Sequence, residues 1–312
     1  MAKKFDYKKY IVYISFVIVL VVFSVLLRDK GFLSYGNMMN ILRQTAMISV
    51  AAVGMTFAIS AGLIDLSTGS VVAISALVTA LALRVTGWFP AVLAGMLAGL
   101  VCGFFNGLIV AKVRIPAFLV TLGTSSVYAG IARTITNLEA VPVTNASFNF
   151  IFGAGDIGPI STLFIWTIVI MILGHILYRK TPFGRAVLAV GGNEVAARYS
   201  GIKVERIKLW AMTICGMAAA FAGILYAGRL NGARYTLGEN DNMSVIAAVV
   251  IGGTSFSGGK GTIVGTIIGS IVIGMLNNGL LLMGLSVSEQ MMARGLIIIL
   301  AVSLSLREKV EN

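Results

Sequence analysis

Residues 89–111 read FPAVLAGMLAGLVCGFFNGLIVA, twenty-three positions without one charged side chain. A bilayer's hydrocarbon core is crossed by about 20 apolar residues in helical conformation, so this stretch predicts a membrane-crossing helix. Gly95, Gly99, Gly103 and Gly107 recur every fourth residue within it and therefore share one face. Small residues at that spacing let helices approach closely in lipid, where packing drives association. The stripe fits tight packing inside the chain, with a subunit interface or a gate as the alternative.

Working outward, the rest of the chain has the same character. Of 312 residues, 58% are hydrophobic and only 12% charged, about half the charged share of a soluble domain. Too few charges remain to coat a soluble surface, which excludes a soluble enzyme, a nucleic-acid binder and a disordered chain. The apolar run from Ile11 to Leu27 follows four lysines and lacks a cleavage-site pattern, so it reads as a retained first helix. Further apolar segments fall near 44–62, 66–83, 116–136, 160–178, 207–228, 244–256, 262–283 and 291–306, of which 244–256 is too short to span and reads as broken or re-entrant. The expectation is an all-α membrane protein of about ten transmembrane segments, forming a single transmembrane domain over 1–312.

Charge fixes the expected orientation. With the N-terminus inside, sixteen basic and six acidic residues fall on the inner side, against eight and six outside, a surplus of +10 against +2. Basic residues are retained on the cytoplasmic side, so both termini are expected there. The net charge of +12 is thus a topology signal. The stretch 179–208 holds seven of the sixteen inner basic residues. Asn193 there can cap a short helix and Gly201 can end it. Such an exposed surface helix suggests a protein partner, with an interfacial turn as the alternative.

Motifs for other chemistry fail on context. Gly153 to Gly158 spells the dinucleotide fingerprint, but Pro159 and an apolar run follow where a βαβ unit is required. Gly258 to Thr262 hints at a phosphate loop, yet Gly261 stands where Ser or Thr must hold magnesium. His175, Cys102 and Cys215 sit in apolar runs and read as packing residues, with no metal-ligand spacing. No catalytic centre, metal or cofactor is implied. Asp65, in Gly62-Leu63-Ile64-Asp65-Leu66-Ser67-Thr68-Gly69-Ser70, reads as the cap of a broken helix or, with Ser67, as a pathway contact. Asn106, Asn277 and Asn278 are amides in apolar segments that need partners there, either other helices or a solute's hydroxyls.

The residues together resemble the permease subunits of ATP-binding-cassette importers for monosaccharides of the ribose type. The resemblance runs from about 35 to 306. It is carried by Gly62 to Ser70, Asn106-Gly107, Ile115-Pro116-Ala117-Phe118, Thr121-Leu122-Gly123, Gly184-Arg185, Gly191 to Ile202 and Ala247 to Gly261, with Gly274 and Asn277-Asn278-Gly279. Leu63 and Thr68 stand where the commoner pattern, Gly-Ile-Asp-Leu-Ser-Val-Gly, has glycine and valine. The resemblance implies an inner-membrane protein that pairs with a second permease copy (identical or paralogous) and is driven by two ATPase subunits. An extracytoplasmic sugar-binding protein would deliver the cargo. Asn193, Glu194, Ala196, Ala197, Arg198, Ser200 and Gly201 would then lie in the ATPase-coupling segment. The second half would be a distant relative of the first, as Ser49 to Val53 echoes Ser244 to Val249. Arg229 and Arg234, in a polar outer loop, are candidates for docking the binding protein. Nucleosides and branched-chain amino acids are the competing cargoes, and a stand-alone secondary transporter is the rival class.

Overall fold

The computed structural model describes residues 11–286, 288–293, 295 and 296. It is helical almost throughout: α1 (Ile11–Leu26), α2 (Tyr35–Ser60), α3 (Thr68–Ala82), α4 (Trp88–Leu108), α5 (Ala117–Thr136), α6 (Ala146–Asn149), α7 (Thr162–Lys180), α8 (Pro182–Gly192), α9 (Glu194–Tyr199), α10 (Val204–Arg229), α11 (Asp241–Ile251) and α12 (Ile263–Leu282). Two short antiparallel pairs accompany them. β1 (Val141–Pro142) pairs with β4 (Gly232–Ala233), and β2 (Asp156–Ile157) with β3 (Ile160–Ser161).

The expected count of about ten spans is overturned. Among the described residues five helices are long and apolar enough to cross a membrane: α2, α4 with its extension to Val113, α7, α10 and α12. The physical reason is that several apolar runs fold into helices too short to cross. At 1.5 Å per residue, α1, α3 and α11 reach about 24, 22 and 16 Å, against a hydrocarbon core of about 30 Å. Helix α5 is twenty residues long, but Thr121, Thr124, Ser125, Ser126, Tyr128, Arg133, Thr134 and Thr136 leave it outside the apolar set. Most of the predicted segment 291–306 lies outside the described residues, as do both chain ends on which the terminal orientation rests.

Helix α2 is the central post. Residues 45–61 are buried without interruption. Its hydroxyls meet partners on neighbouring helices, with Ser49 Oγ 2.6 Å from Ser270 Oγ, Thr56 Oγ1 2.9 Å from Thr266 Oγ1, and Ser60 Oγ 2.6 Å from Tyr178 Oη. Such hydroxyl pairs join helices in an apolar interior, each replacing an otherwise unsatisfied polar group. Helix α10 packs against α2, α3 and α4 and completes the core.

The glycine stripe of α4 is spent inside the chain. Gly99, Gly103 and Gly107 face α10, and Gly95 faces α3. A Cβ added at Gly103 would lie 2.7 Å from Met212 O and 3.0 Å from Gly216 Cα, both backbone atoms that cannot swing aside. By contrast, a Cβ at Gly123 or Gly130 on α5 meets nothing within 4 Å. Gly103→Ala is therefore expected to destabilise the folded protein by about 1–3 kcal/mol through overpacking. Gly123→Ala should be neutral or stabilising, by up to about 1 kcal/mol of helix propensity. Thermal unfolding in detergent distinguishes them, and equal melting of the two variants would contradict the packing assigned to the stripe.

Candidate functional site

The site begins where α2 stops. Gly62, at φ +77°, takes the left-handed conformation that terminates the helix, and Leu63 N–H donates back to Ala58 O while Gly62 N–H donates to Ile59 O. That is a Schellman closure, and glycine suits it because a side chain is strained at positive φ. The backbone then runs irregularly from 61 to 67 before α3 starts, passing from an exposed Gly62 into the interior of the bundle at Asp65 and Ser67. Its polar groups must find protein partners there.

They do so from three directions. Asp65 is buried, and its Oδ1 accepts from Ser67 N–H at 2.8 Å and from Ser67 Oγ–H at 2.6 Å. The Asn106 amide, fully buried on α4, donates to Ser67 Oγ at 2.8 Å. Tyr128 of α5 donates its hydroxyl to Asn106 Oδ1 at 3.0 Å. Thr121 Oγ1 accepts from Leu66 N–H at 3.0 Å, and the Asn242 amide of α11 donates to Leu66 O at 2.6 Å while its oxygen accepts from Gly69 N–H at 2.8 Å. The break is thus bolted to α4, α5 and α11.

This arrangement joins Asp65, Ser67 and Asn106 in one network. It does not bring Asn277 or Asn278 to it. Asn278 exchanges reciprocal amide hydrogen bonds with Asn37, both 2.9 Å, tying α12 to the start of α2. Asn277 is half-buried on the same helix, outside that pair. Arg229 ends α10 half-buried, and Arg234 is exposed just after β4, where the β1–β4 pairing ties the loop after α5 to the one after α10. His175 is half-buried in α7, and its Nδ1 has no hydrogen-bond partner among the described residues. Residues 153–158 form a helix end and a tight turn at Gly158, so the dinucleotide pattern has no βαβ context.

At the same C-terminal end of α2 lies the basic segment. Gly191 of α8 packs directly on Ser60 and Gly259, and Gly259 N–H donates to Ser60 O at 3.0 Å. The Gly258–Thr262 run is therefore a turn that seats α8, with no phosphate-loop geometry. Asn193 caps α9, its Oδ1 accepting from Ala196 N–H at 2.9 Å, and Gly201 at φ +83° closes it. Ala197 is buried with Val190 and Val204 in a small core of its own. Glu194 pairs with Lys208 at 2.7 Å, and Arg198 pairs with Glu205 at 2.7 Å. The Glu205 carboxylate, with Glu194 beyond it, holds the Arg198 guanidinium above its ordinary pKa. The large apolar side chains exposed on α9 are Val195 and the almost fully exposed Tyr199. Between α9, the start of α10, the turn before α5 and residues 62–64 lies a cavity of about 380 Å³, lined in part by Arg114, Glu194, Arg198 and Glu205.

A family profile described as the permease component of the branched-chain amino acid transport system matches residues 37–302. The chain belongs to that family. The permease is 40% identical over 297 residues to the ribose import permease protein RbsC of Bacillus subtilis, covering 94% of this chain and 91% of that one. It is 39% identical over 300 residues to the protein of that name from Haemophilus influenzae, covering 93% and 90%. The xylose transport system permease protein XylH of Escherichia coli is 32% identical over 353 residues, covering 93% and 90%. No solved structure matches the permease. It is a multi-pass membrane protein and a transport component rather than an enzyme.

Tyr128, Thr121, Asn242, Val195 and Tyr199 escape the sequence reading as site residues. Tyr128 and Thr121 lie within an apolar run and Asn242 in a polar loop, and no local spacing links them to Asp65. Val195 and Tyr199, four apart, carry an i,i+4 signal that only exposure turns outward. Asn106→Ala is expected to lower stability by about 1–3 kcal/mol, since it strands buried groups on Ser67 and Tyr128. Tyr128→Phe should cost about 1 kcal/mol. A double-mutant cycle by thermal unfolding should show the two effects to be coupled, and strict additivity would separate Tyr128 from the network.

Proposed function

We propose that the permease carries ribose or a related monosaccharide across the inner membrane as one of two membrane subunits of an ATP-binding-cassette importer. The observation that carries the substrate class is the similarity to ribose import permeases across nearly the whole chain. Two ATPase subunits supply the energy, an extracytoplasmic binding protein delivers the sugar, and a second permease copy completes the path.

Residues 179–208 form the coupling segment. Its working part is Asn193, Glu194, Ala196, Ala197, Arg198, Ser200 and Gly201, extended by the outward side chains Val195 and Tyr199. Asn193 and Gly201 fix the ends of α9, Ala197 roots it, and the two carboxylate–cation pairs orient it on α10. A rigid, apolar-tipped helix is what a partner protein can grip and push. ATP binding closes the ATPases, α9 moves with them, and the permease pair alternates between inward and outward openings. The ATPases must bind those two states with different affinity for this to work. Asp65, Ser67 and Asn106 sit where the moving bundle is broken and are the pathway candidates nearest to that hinge. Asn277 and Asn278 lie apart from it on α12, where Asn278 serves the Asn37 clasp. Arg229 and Arg234 present positive charge to the acidic rim of a binding protein.

In proteoliposomes holding the assembled importer, Glu194→Ala with Arg198→Ala is expected to cut sugar uptake about tenfold while ATP hydrolysis stays within about twofold, since the lost pairs orient α9 without building the ATPase. Unchanged uptake at normal expression would reject the coupling role. Reversing Arg229 and Arg234 to glutamate together should abolish stimulation of ATP hydrolysis by the loaded binding protein. Retained stimulation would remove both arginines from the docking surface. The uptake panel should include leucine, because the family description names branched-chain amino acids, and leucine uptake without sugar uptake would replace the cargo.

A further inference from the structure

Helix α5 is the odd member of the bundle. Gly123, Ser126, Gly130 and Arg133 recur at three- and four-residue spacing, share one face and are exposed. Unlike the α4 glycines, Gly123 and Gly130 face open space. An exposed arginine is costly against lipid tails, so the Arg133 end of this face belongs to water, solute or a partner. At its outer end Arg133 Nη2 lies 3.4 Å from Glu239 Oε1, with side-chain exposures of 52% and 45%. The same guanidinium sits 5.4 Å above the ring of Tyr235, which is half-buried.

Tyr235 and Glu239 belong to the strap, residues 234–240, that leads from β4 into α11. Three residues beyond Glu239, Asn242 grips Leu66 and Gly69 at the break between α2 and α3. Anything that engages Glu239 therefore pulls on a segment anchored to the Asp65 network.

From this geometry we propose that Arg133, Tyr235 and Glu239 form a saccharide-contact site at the outer end of the α5 face and help set which sugar the permease accepts. The site rests on the monosaccharide reading above. A sugar ring offers an edge of hydroxyls that both donate and accept. Tyr235, packed against the core, carries the guanidinium over its ring and so fixes the position of the donor. Arg133 has five N–H donors, few of them engaged by one 3.4 Å contact, and the Glu239 carboxylate has lone pairs to spare. An exposed ion pair at that distance contributes little to stability, so its value lies in holding a donor and an acceptor side by side over an aromatic ring. A hydroxylated ligand entering between them exchanges one weak pair for several charge-assisted hydrogen bonds.

The test uses the full importer in proteoliposomes with one unchanged binding protein, so that altered discrimination comes from the permease. Radiolabelled D-ribose and D-xylose uptake are measured for wild type, Arg133→Lys, Glu239→Gln, Tyr235→Ala and the charge-swapped Arg133→Glu/Glu239→Arg. The single variants should change the ribose-to-xylose rate ratio by about fivefold or more, the scale expected when a polar recognition contact is lost. The swapped double variant should stay altered, because it restores the ion pair but not the positions of donor and acceptor. A wild-type ratio in all the single variants overturns the site. So does restoration of both rate and ratio by the swap, which would make the pair a latch, and so does an equal loss of both sugars in every variant. Wild-type importer that moves neither sugar, nor any other monosaccharide, would instead sink the monosaccharide reading itself.

Discussion

Everything in this molecule depends on satisfying a stretch of irregular backbone inside an apolar bundle. Between α2 and α3 the chain leaves helical geometry, and each freed N–H and C=O there would be costly unless paired. The Schellman closure at Gly62 takes the first groups, Asp65 and Thr121 the next, and Asn242 the last. Because these partners come from α5, α11 and the loop itself, and because Asn106 and Tyr128 extend the chain of hydrogen bonds to α4 and α5, the break is the point where most of the fold is tied together. A segment so held can move only as part of a concerted rearrangement of those helices, which suits a transporter that alternates between two openings.

The second dependence is steric. Helices α4 and α10 approach through glycine backbones, and α2 meets α12 through paired hydroxyls. Both devices replace the hydrophobic effect, which offers no gain between helices already surrounded by hydrocarbon. They leave α5 with Gly123, Gly130 and Arg133 exposed among Leu119, Leu122 and Val127, and they place α9 on a separate small core at the basic end. The rigid part and the exposed working surfaces are thus separated within one chain.

Much of this is legible in sequence because it is local. The run of 89–111, the basic stretch 179–208, the capping Asn193 and the closing Gly201 all act through neighbours a few positions away. The count of spans is not legible in the same way. Hydropathy detects that 66–83 is apolar, but α3 runs only from Thr68 to Ala82, and its first turn is held by Asn242 from a distant part of the chain. Likewise Asn106 and Asn278 look alike as lone amides in apolar runs. One joins the Asp65 network and the other clasps Asn37, because their partners are 39 and 241 residues away.

The sequence by itself determined that this chain lives in a membrane, which end carries the positive charge, where the surface helix begins and ends, and the family to which it belongs. Those properties follow from composition and from interactions within a helical turn or two. Tertiary structure alone decided that five helices among the described residues are fit to cross, that the glycine stripe is consumed by α10 and α3, that Val195 and Tyr199 point outward, and that Arg133 meets Tyr235 and Glu239. Each of these depends on which distant segment fills the space beside a residue, and that is fixed only when the whole bundle packs.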